Sequence, residues 1–341
     1  MEPPKKFARL FRMTFNFQLF TEFMAIYTGQ NKHLGGTEKK SHRQLFFYGL
    51  VEKNVLVTGA NGQLGSELRE RQQRSNNPFR FIYTDFDELD ITDATQVLDF
   101  VERGGIRYII NCAAYTNVEK AESEAEEVAL INVSGVEHLA RAARKYGCRM
   151  LHISTDFVFD GQSSTPYTET DRPNPLSVYG KTKWKGEEVL QACADEWIIL
   201  RTSWLYSSYG NNFVKTMLRL MNEREEIAVV SDQIGRPTYA ADLAEMIIHI
   251  LEYSEANEWK TGIYHFSNEG ATSWFGFARE IRKQAGLLRC EVVPITTSAY
   301  GAIADRPAYS IMDLSKIRSV FKVEIPAWEE ALSRCLKKLK G

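Results

Sequence analysis

The segment Asn54-Val-Leu-Val-Thr-Gly-Ala-Asn-Gly-Gln-Leu-Gly65 limits the folds open to this chain more than any other, because an apolar, β-branched run passes without a linker into glycines at 59, 62 and 65. Residues 54–58 read as a buried strand, and the stretch from the last glycine to Arg74 reads as a helix. Glycine at such a junction permits a tight turn and close packing of helix on strand. It also lets main-chain N–H groups approach a pyrophosphate at the positive end of the helix. Gly59, Asn61, Gly62, Gln63, Leu64 and Gly65 are therefore candidates to hold a dinucleotide. A bare glycine triplet also occurs in ordinary turns, so its weight comes from the rhythm around it.

That rhythm continues as strand and helix in alternation. A second strand at 79–84 ends at Asp85, a helix follows near 93–103, and a third strand at 108–112 leads into Ala113-Ala-Tyr-Thr116. Residues 125–146 carry a helical stripe of Leu130, Val133, Val136, Leu139, Ala140 and Ala143, closed by Gly147 as a C-terminal cap. Strands at 149–154, 197–202 and 226–230 alternate with helices from about Ser177, at 213–222 and at 240–253. Beyond residue 262 the pattern loosens, with helices at 274–286 and 328–340. The fold class is α/β, a Rossmann-type doubly wound parallel sheet with a smaller C-terminal substrate lobe. Residues 51–205 make mainly the dinucleotide-binding core, and residues 206–341 mix later core elements with the lobe.

Charge and cysteine usage bound the partners. The 341 residues carry 42 basic and 44 acidic side chains, a net of −2. The first fifty hold eight Lys or Arg against three Glu, which leaves 34 basic against 41 acidic in the rest. A nucleic-acid partner is not expected from a core so balanced. Five scattered cysteines without a C-x-x-C pair argue against disulfides or a zinc site and for the cytoplasm; no metal constellation is apparent. No apolar run is long enough to span a membrane, and the Phe-rich stretch 7–27 is interrupted by Arg12, Asn16, Gln18 and Glu22.

Two groups of residues carry chemistry. Asp85, at the end of the second strand, suits the ribose hydroxyls of an adenosine and tilts the cofactor toward NADH, although the run Asp85, Asp87, Glu88, Asp90 also reads as a solvated face. Asp90 and Ile91 would then flank the adenine. Tyr179 and Lys183 stand four apart, so on a helix they share one face, where an ammonium can lower the pKa of a phenol that must exchange a proton with an alkoxide. The same pair is also common on solvated helices beside lysines such as Lys181 and Lys185. Ser154-Thr155-Asp156, ending the preceding strand, supplies hydroxyls able to hold a carbonyl oxygen.

The set Val57-Thr-Gly-Ala-Asn-Gly-Gln-Leu-Gly65, Asn111-Cys-Ala-Ala-Tyr-Thr-Asn-Val118, Lys120-Ala-Glu122, Ile153-Ser-Thr-Asp-Phe-Val-Phe159, Tyr179-Gly-Lys-Thr-Lys183 and Arg201-Thr-Ser-Trp204 closely resembles the dTDP-4-dehydrorhamnose reductases, extended short-chain dehydrogenases that complete dTDP-L-rhamnose synthesis. Gly210-Asn-Asn-Phe213, Asp232-Gln-Ile-Gly-Arg-Pro-Thr238 and Arg306-Pro307 extend the resemblance over residues 52–340. It implies Thr155, Tyr179 and Lys183 as the catalytic triad, with Lys183 also holding the nicotinamide ribose of NADPH or NADH. It further implies Ala114, Tyr115 and Thr116 at the cofactor, and Ser154, Thr155, Asp156 and Trp204 at the sugar of a dTDP-linked ketosugar. Trp204 has a rival reading as a core aromatic. Arg306 is a candidate for the diphosphate. Phe157 stands where the family often has Tyr, and Cys112 where it often has Ala. An epimerase or dehydratase of the same fold, and a non-catalytic regulatory subunit like the β subunit of methionine adenosyltransferase, are the alternatives; the oligomeric state, a homodimer included, is left open.

Residues 1–50 read as a leader outside the core, and Val51 is a candidate native start because GTG is an alternative bacterial start codon. A chain beginning at Val51 is expected to fold and to work like the full chain. Activity and thermal melts of the two proteins check this, and loss of activity on truncation would refute it.

Overall fold

The computed structural model describes residues 53–74 and 78–340, so the expected leader lies outside the described residues. The chain runs through β1 (Lys53–Thr58), α1 (Gln63–Arg74), β2 (Phe79–Tyr83), α2 (Ala94–Gly104), β3 (Ile106–Asn111), α3 (Gly135–Tyr146), β4 (Arg149–Thr155), α4 (Val178–Cys193) and β5 (Trp197–Thr202). It continues through α5 (Phe213–Glu223), β6 (Glu226–Val230), α6 (Ala240–Ala256), β7 (Gly262–His265), α7 (Trp274–Ala285), β8 (Glu291–Ile295) and α8 (Trp328–Lys340). Six strands form one sheet in the order β7-β5-β4-β3-β1-β2, parallel at every pairing.

The order places the chain reversal between β1 and β3. From β1 the chain moves outward to β2, then crosses back to β3 and proceeds the other way, so a crevice opens at the carboxyl ends of β1 and β3. Alternation along the strands feeds two apolar layers. Val55, Val57, Ile110, Leu151 and Leu200 meet Leu64 and Leu68 of α1 and Leu243, Ile247 and Leu251 of α6 on one face. Leu56, Ile109, Met150 and Ile199 meet Val97, Val101, Val136, Leu139 and Leu190 on the other. Each fully buried Val, Leu or Ile is worth roughly 1.5–3 kcal/mol of transfer free energy, so registry with the core is strongly enforced. β6 and β8 pair in parallel, and α5, α7 and α8 pack with them around Val214, Ile227, Phe277 and Leu332. Among the described residues no helix is long and apolar enough to cross a membrane.

The expected unbroken helix over 125–146 is corrected. Between Ala125–Ala129 and α3 the backbone makes a π turn over Leu130–Ser134. The inserted residue rotates the stripe: Leu130 is 54% exposed, whereas Asn132 is buried. The turn has a use, since Asn132 Oδ1 accepts from Tyr115 N at 2.9 Å and its Nδ2 donates to Tyr115 O at 3.2 Å. Gly147 does close α3, at φ +67°.

α4 is tied to the sheet by a buried ion pair. Arg201 of β5 places Nε 2.9 Å and Nη2 2.6 Å from the two oxygens of Glu187, and Ser154 donates to the same carboxylate at 2.5 Å. Removing one partner would strand the other charge in the core. Arg201→Met is expected to destabilise the protein by about 3–5 kcal/mol in denaturant melts, and pairing it with Glu187→Met should recover much of that loss. Equal destabilisation by the single and double replacements would contradict the electrostatic account.

Candidate active site

The glycine turn sits at the crevice. Gly59 adopts φ +65°, and a side chain there would bring its Cβ within 2.6 Å of Ala113 N, so the turn lies flush against the chain leaving β3. Gly65 packs on Ala60, and Gly62 N donates to Gly59 O at 3.1 Å. Leu64 turns into the core, while Gln63 Oε1 accepts from Asn212 Nδ2 at 3.0 Å. The first turn of α1 carries no acidic side chain, and around Gly62 a Cβ would meet only Gly59 O within 4 Å. The N–H groups of that first helical turn, open on one side and without an acidic side chain of the helix beside them, fit the pyrophosphate of a dinucleotide.

The flanking candidates divide. Asp85 is half-buried and braces the turn, accepting from Asn61 N at 2.8 Å through Oδ2 and from Phe86 N at 2.9 Å through Oδ1. Asp90 accepts from Thr92 N and Oγ1, fixing a local turn. The Ile91 side chain is buried against Gly135, so only its main chain remains for an adenine. Ala114 and Tyr115 are half-buried and Thr116 is exposed on the loop after β3, which Asn132 secures. The Tyr115 hydroxyl bonds Glu124, and that bond raises its pKa to about 12.

α4 delivers the phenol and the amine. Ser177 caps its start, accepting from Gly180 N at 3.2 Å. Gly180 is the reason the helix can reach β4: a Cβ there would lie 2.3 Å from Phe157 O. Tyr179 is thereby hydrogen-bonded to Thr155 and meets the Phe157 ring edge-on at 5.4 Å. Burial pushes the phenol up to about 12, with the Thr155 bond pulling the other way and the nearby Asp156 charge adding to the rise. Thr155 Oγ1 donates to Asp156 Oδ1 at 3.1 Å and accepts from Phe157 N. Burial likewise raises Asp156 to about 6, partly offset by hydrogen bonds from Ser310 and Thr155.

Lys183 is buried, and burial lowers it to about 8 against the opposing pull of Glu187. Its Nζ donates to Ile153 O at 2.6 Å and stands 3.2 Å from His152 Nε2. Both contacts lie in the sheet, so Lys183 is not bonded to the Tyr179 phenol as the shared helix face suggested. Ser154 is a second departure. Its hydroxyl proton goes to Glu187, whereas Thr155 is the hydroxyl that meets Tyr179.

The candidate sugar side is built from residues far apart in sequence. Trp204 is half-buried and held at φ +47°, a conformation costing on the order of 1–3 kcal/mol that surrounding packing must impose. Its ring stacks on Trp274 at 3.6 Å and covers Gly235, whose Cβ would lie 2.6 Å from the indole and 2.9 Å from Ser310 Oγ. Ser310 bonds Asp156, so Trp204, Gly235, Ser310 and Asp156 form one contiguous wall. Arg306 is ion-paired with Glu119, which also accepts from Ile303 N and Ala304 N. Ser310, Trp274 and His152 had no motif to mark them in the sequence.

Comparison with known proteins adds the following. The model of the RmlD substrate binding domain family matches residues 53–340. The dTDP-4-dehydrorhamnose reductase of Aggregatibacter actinomycetemcomitans is 45% identical over 284 residues, 82% of this chain and 96% of that protein. The crystal structure of dTDP-4-dehydrorhamnose reductase from Bacillus anthracis in complex with NADP superposes with a TM-score of 0.79 at 42% identity, covering 84% of this chain and 100% of that one. The corresponding structure from Clostridium acetobutylicum gives 0.80 at 38% identity, with the same coverage. A match along nearly the whole described chain, with relatives this similar over almost their full length, means that the chain belongs to the RmlD family, alongside the dTDP-4-dehydrorhamnose reductases.

Proposed function

We propose that this protein reduces the C4 ketone of dTDP-4-dehydro-L-rhamnose to give dTDP-L-rhamnose, using NADPH or NADH. The observation that carries the reading is the hydrogen bond between Thr155 and Tyr179 at the carboxyl edge of the sheet, with Lys183 buried one turn further along α4, on the side where α1 presents its open glycine turn. Gly59, Asn61, Gly62, Gln63 and Gly65 would hold the pyrophosphate, Asp85 the adenosine ribose, and the chain at Ala114, Tyr115 and Thr116 the neighbouring cofactor surface. The reduced nicotinamide supplies a hydride when bound. Thr155 orients the keto oxygen, and Tyr179 gives up its phenolic proton as negative charge develops there. Lys183, once its charge faces the phenol, offsets the burial that holds the proton on Tyr179. Asp156 and Trp204 bound the sugar, with Arg306 set for the diphosphate once it leaves Glu119. Residues 206–341 contribute the rest of the sugar side through Gly235, Trp274 and Ser310. Five free cysteines suit work in the cytoplasm.

Offered dTDP-4-dehydro-L-rhamnose, the purified protein is expected to consume reduced cofactor in step with product, followed by loss of nicotinamide absorbance; turnover of a nucleotide sugar without net consumption would favour an epimerase or dehydratase. In that assay Tyr179→Phe should lower kcat by about 10²–10⁴-fold while cofactor binding persists, and near-normal turnover would remove Tyr179 from the proton role. The pH dependence follows from Lys183: its lowered pKa keeps the ammonium below about 8 and loses it above. Accordingly kcat/KM for the reduced cofactor, which reports the free enzyme, should fall as pH rises through that value; a flat profile would contradict a need for the charge.

A further inference from the structure

His152 lies buried in β4 between two side chains that both present nitrogen to it. Asn111 Nδ2 is 3.0 Å from Nδ1, and Lys183 Nζ is 3.2 Å from Nε2. The orientation of the Asn111 amide is not free. Its Oδ1 accepts from Ala113 N at 3.1 Å and from Thr58 Oγ1 at 2.7 Å, and a main-chain N–H can only donate. The other end of the amide is then the NH₂ group, which must donate to Nδ1. A neutral imidazole carries one proton, so with Nδ1 accepting, that proton sits on Nε2 and points at Lys183. An ammonium has three donors and no acceptor, so in its charged form Lys183 meets this N–H donor to donor. As a neutral amine it accepts from Nε2 and still donates to Ile153 O.

From this geometry we infer that His152 is a positioning residue which disfavours the charged form of Lys183 until a bound dinucleotide draws the amine out of the sheet, so that cofactor binding is accompanied by uptake of a proton at Lys183. The inference rests on the functional reading above and deepens it. It accounts for an amine that faces the sheet and not the phenol: the charge that acidifies Tyr179 is completed only when hydride donor and site are assembled. Other groups around Lys183 do not reverse the argument. Glu187 on the same helix favours the ammonium, but its carboxylate is already held by Arg201 and Ser154. Cys112 beyond β3 stays a neutral thiol because burial raises it to about 12, and burial together with the Lys183 charge holds His152 well below the usual histidine range. Tyr179 is a neutral phenol throughout the same interval.

The test has three readouts, none of which needs turnover. In the cofactor-free protein, ¹⁵N NMR of the His152 ring should find the proton on Nε2; a proton on Nδ1 overturns the inference. Calorimetry of NADPH binding at a pH near 8, repeated in buffers of different ionisation enthalpy, should find net proton uptake. Binding without uptake overturns this inference alone, whereas no binding at all overturns it together with the functional reading. Asn111→Asp lets a carboxylate accept from Nδ1, moves the ring proton there and turns Nε2 into an acceptor for the ammonium. That variant should take up several-fold fewer protons at the same pH, and unchanged uptake with the ring proton moved would refute the coupling. Because wild-type tautomer and uptake are measured first, an Asn111→Asp protein that fails to fold leaves the inference fully exposed to both.

Discussion

The seating of α4 on the carboxyl end of β4 is the constraint on which the rest of the site depends. Two glycines of that helix touch main-chain oxygens of neighbouring segments: a Cβ on Gly180 or Gly186 would lie 2.3 Å from Phe157 O or Asn132 O respectively. A helix held this close brings the Tyr179 phenol to Thr155 and drives Lys183 between β4 and its own axis, where an exposed lysine would not otherwise go. The buried pair of Glu187 with Arg201 fixes the far end of the same helix face. Residues 179, 183 and 187 thus form one line of side chains, with one end against Thr155 and a locked end in the core.

The topology places that line where a dinucleotide can use it. Reversal of strand order between β1 and β3 opens the crevice, the glycine turn after β1 forms one wall, and the chain after β3 forms the other. The π turn before α3 belongs to the same device. By turning Asn132 inward it secures the loop bearing Ala114, Tyr115 and Thr116 and presents its own carbonyl to Gly186. One irregular turn therefore registers the loop after β3 against α4, consistent with the frequency of such turns at functional sites.

What was legible in the sequence follows from which interactions are local. Strand, glycine turn and helix, the four-residue spacing of Tyr179 and Lys183, and the cap at Gly147 depend on neighbours along the chain, and each has a counterpart in the structure. The stripe failed at Leu130 because periodicity assumes one helical pitch, and the inserted residue at the π turn shifts which side chain faces the core. Ser154 looked like a partner of Thr155 by adjacency, but its proton is claimed by a carboxylate 33 positions away. Ser310, Trp274 and His152 were invisible for the same reason: a serine beside Asp156, a ring stacked on Trp204 and an imidazole against Lys183 acquire meaning only when distant segments meet.

On the proposed reading, a hydroxyl from β4 and a phenol from α4 hold one reacting oxygen, and the amine of Lys183 serves the cofactor beside them. A crystal structure of the protein with NADP and dTDP-L-rhamnose measures this directly. The account predicts the C4 oxygen within hydrogen-bond reach of both Thr155 Oγ1 and Tyr179 Oη, with Lys183 Nζ moved from His152 to the nicotinamide ribose. A C4 oxygen held elsewhere, with the phenol still facing only Thr155, would contradict it.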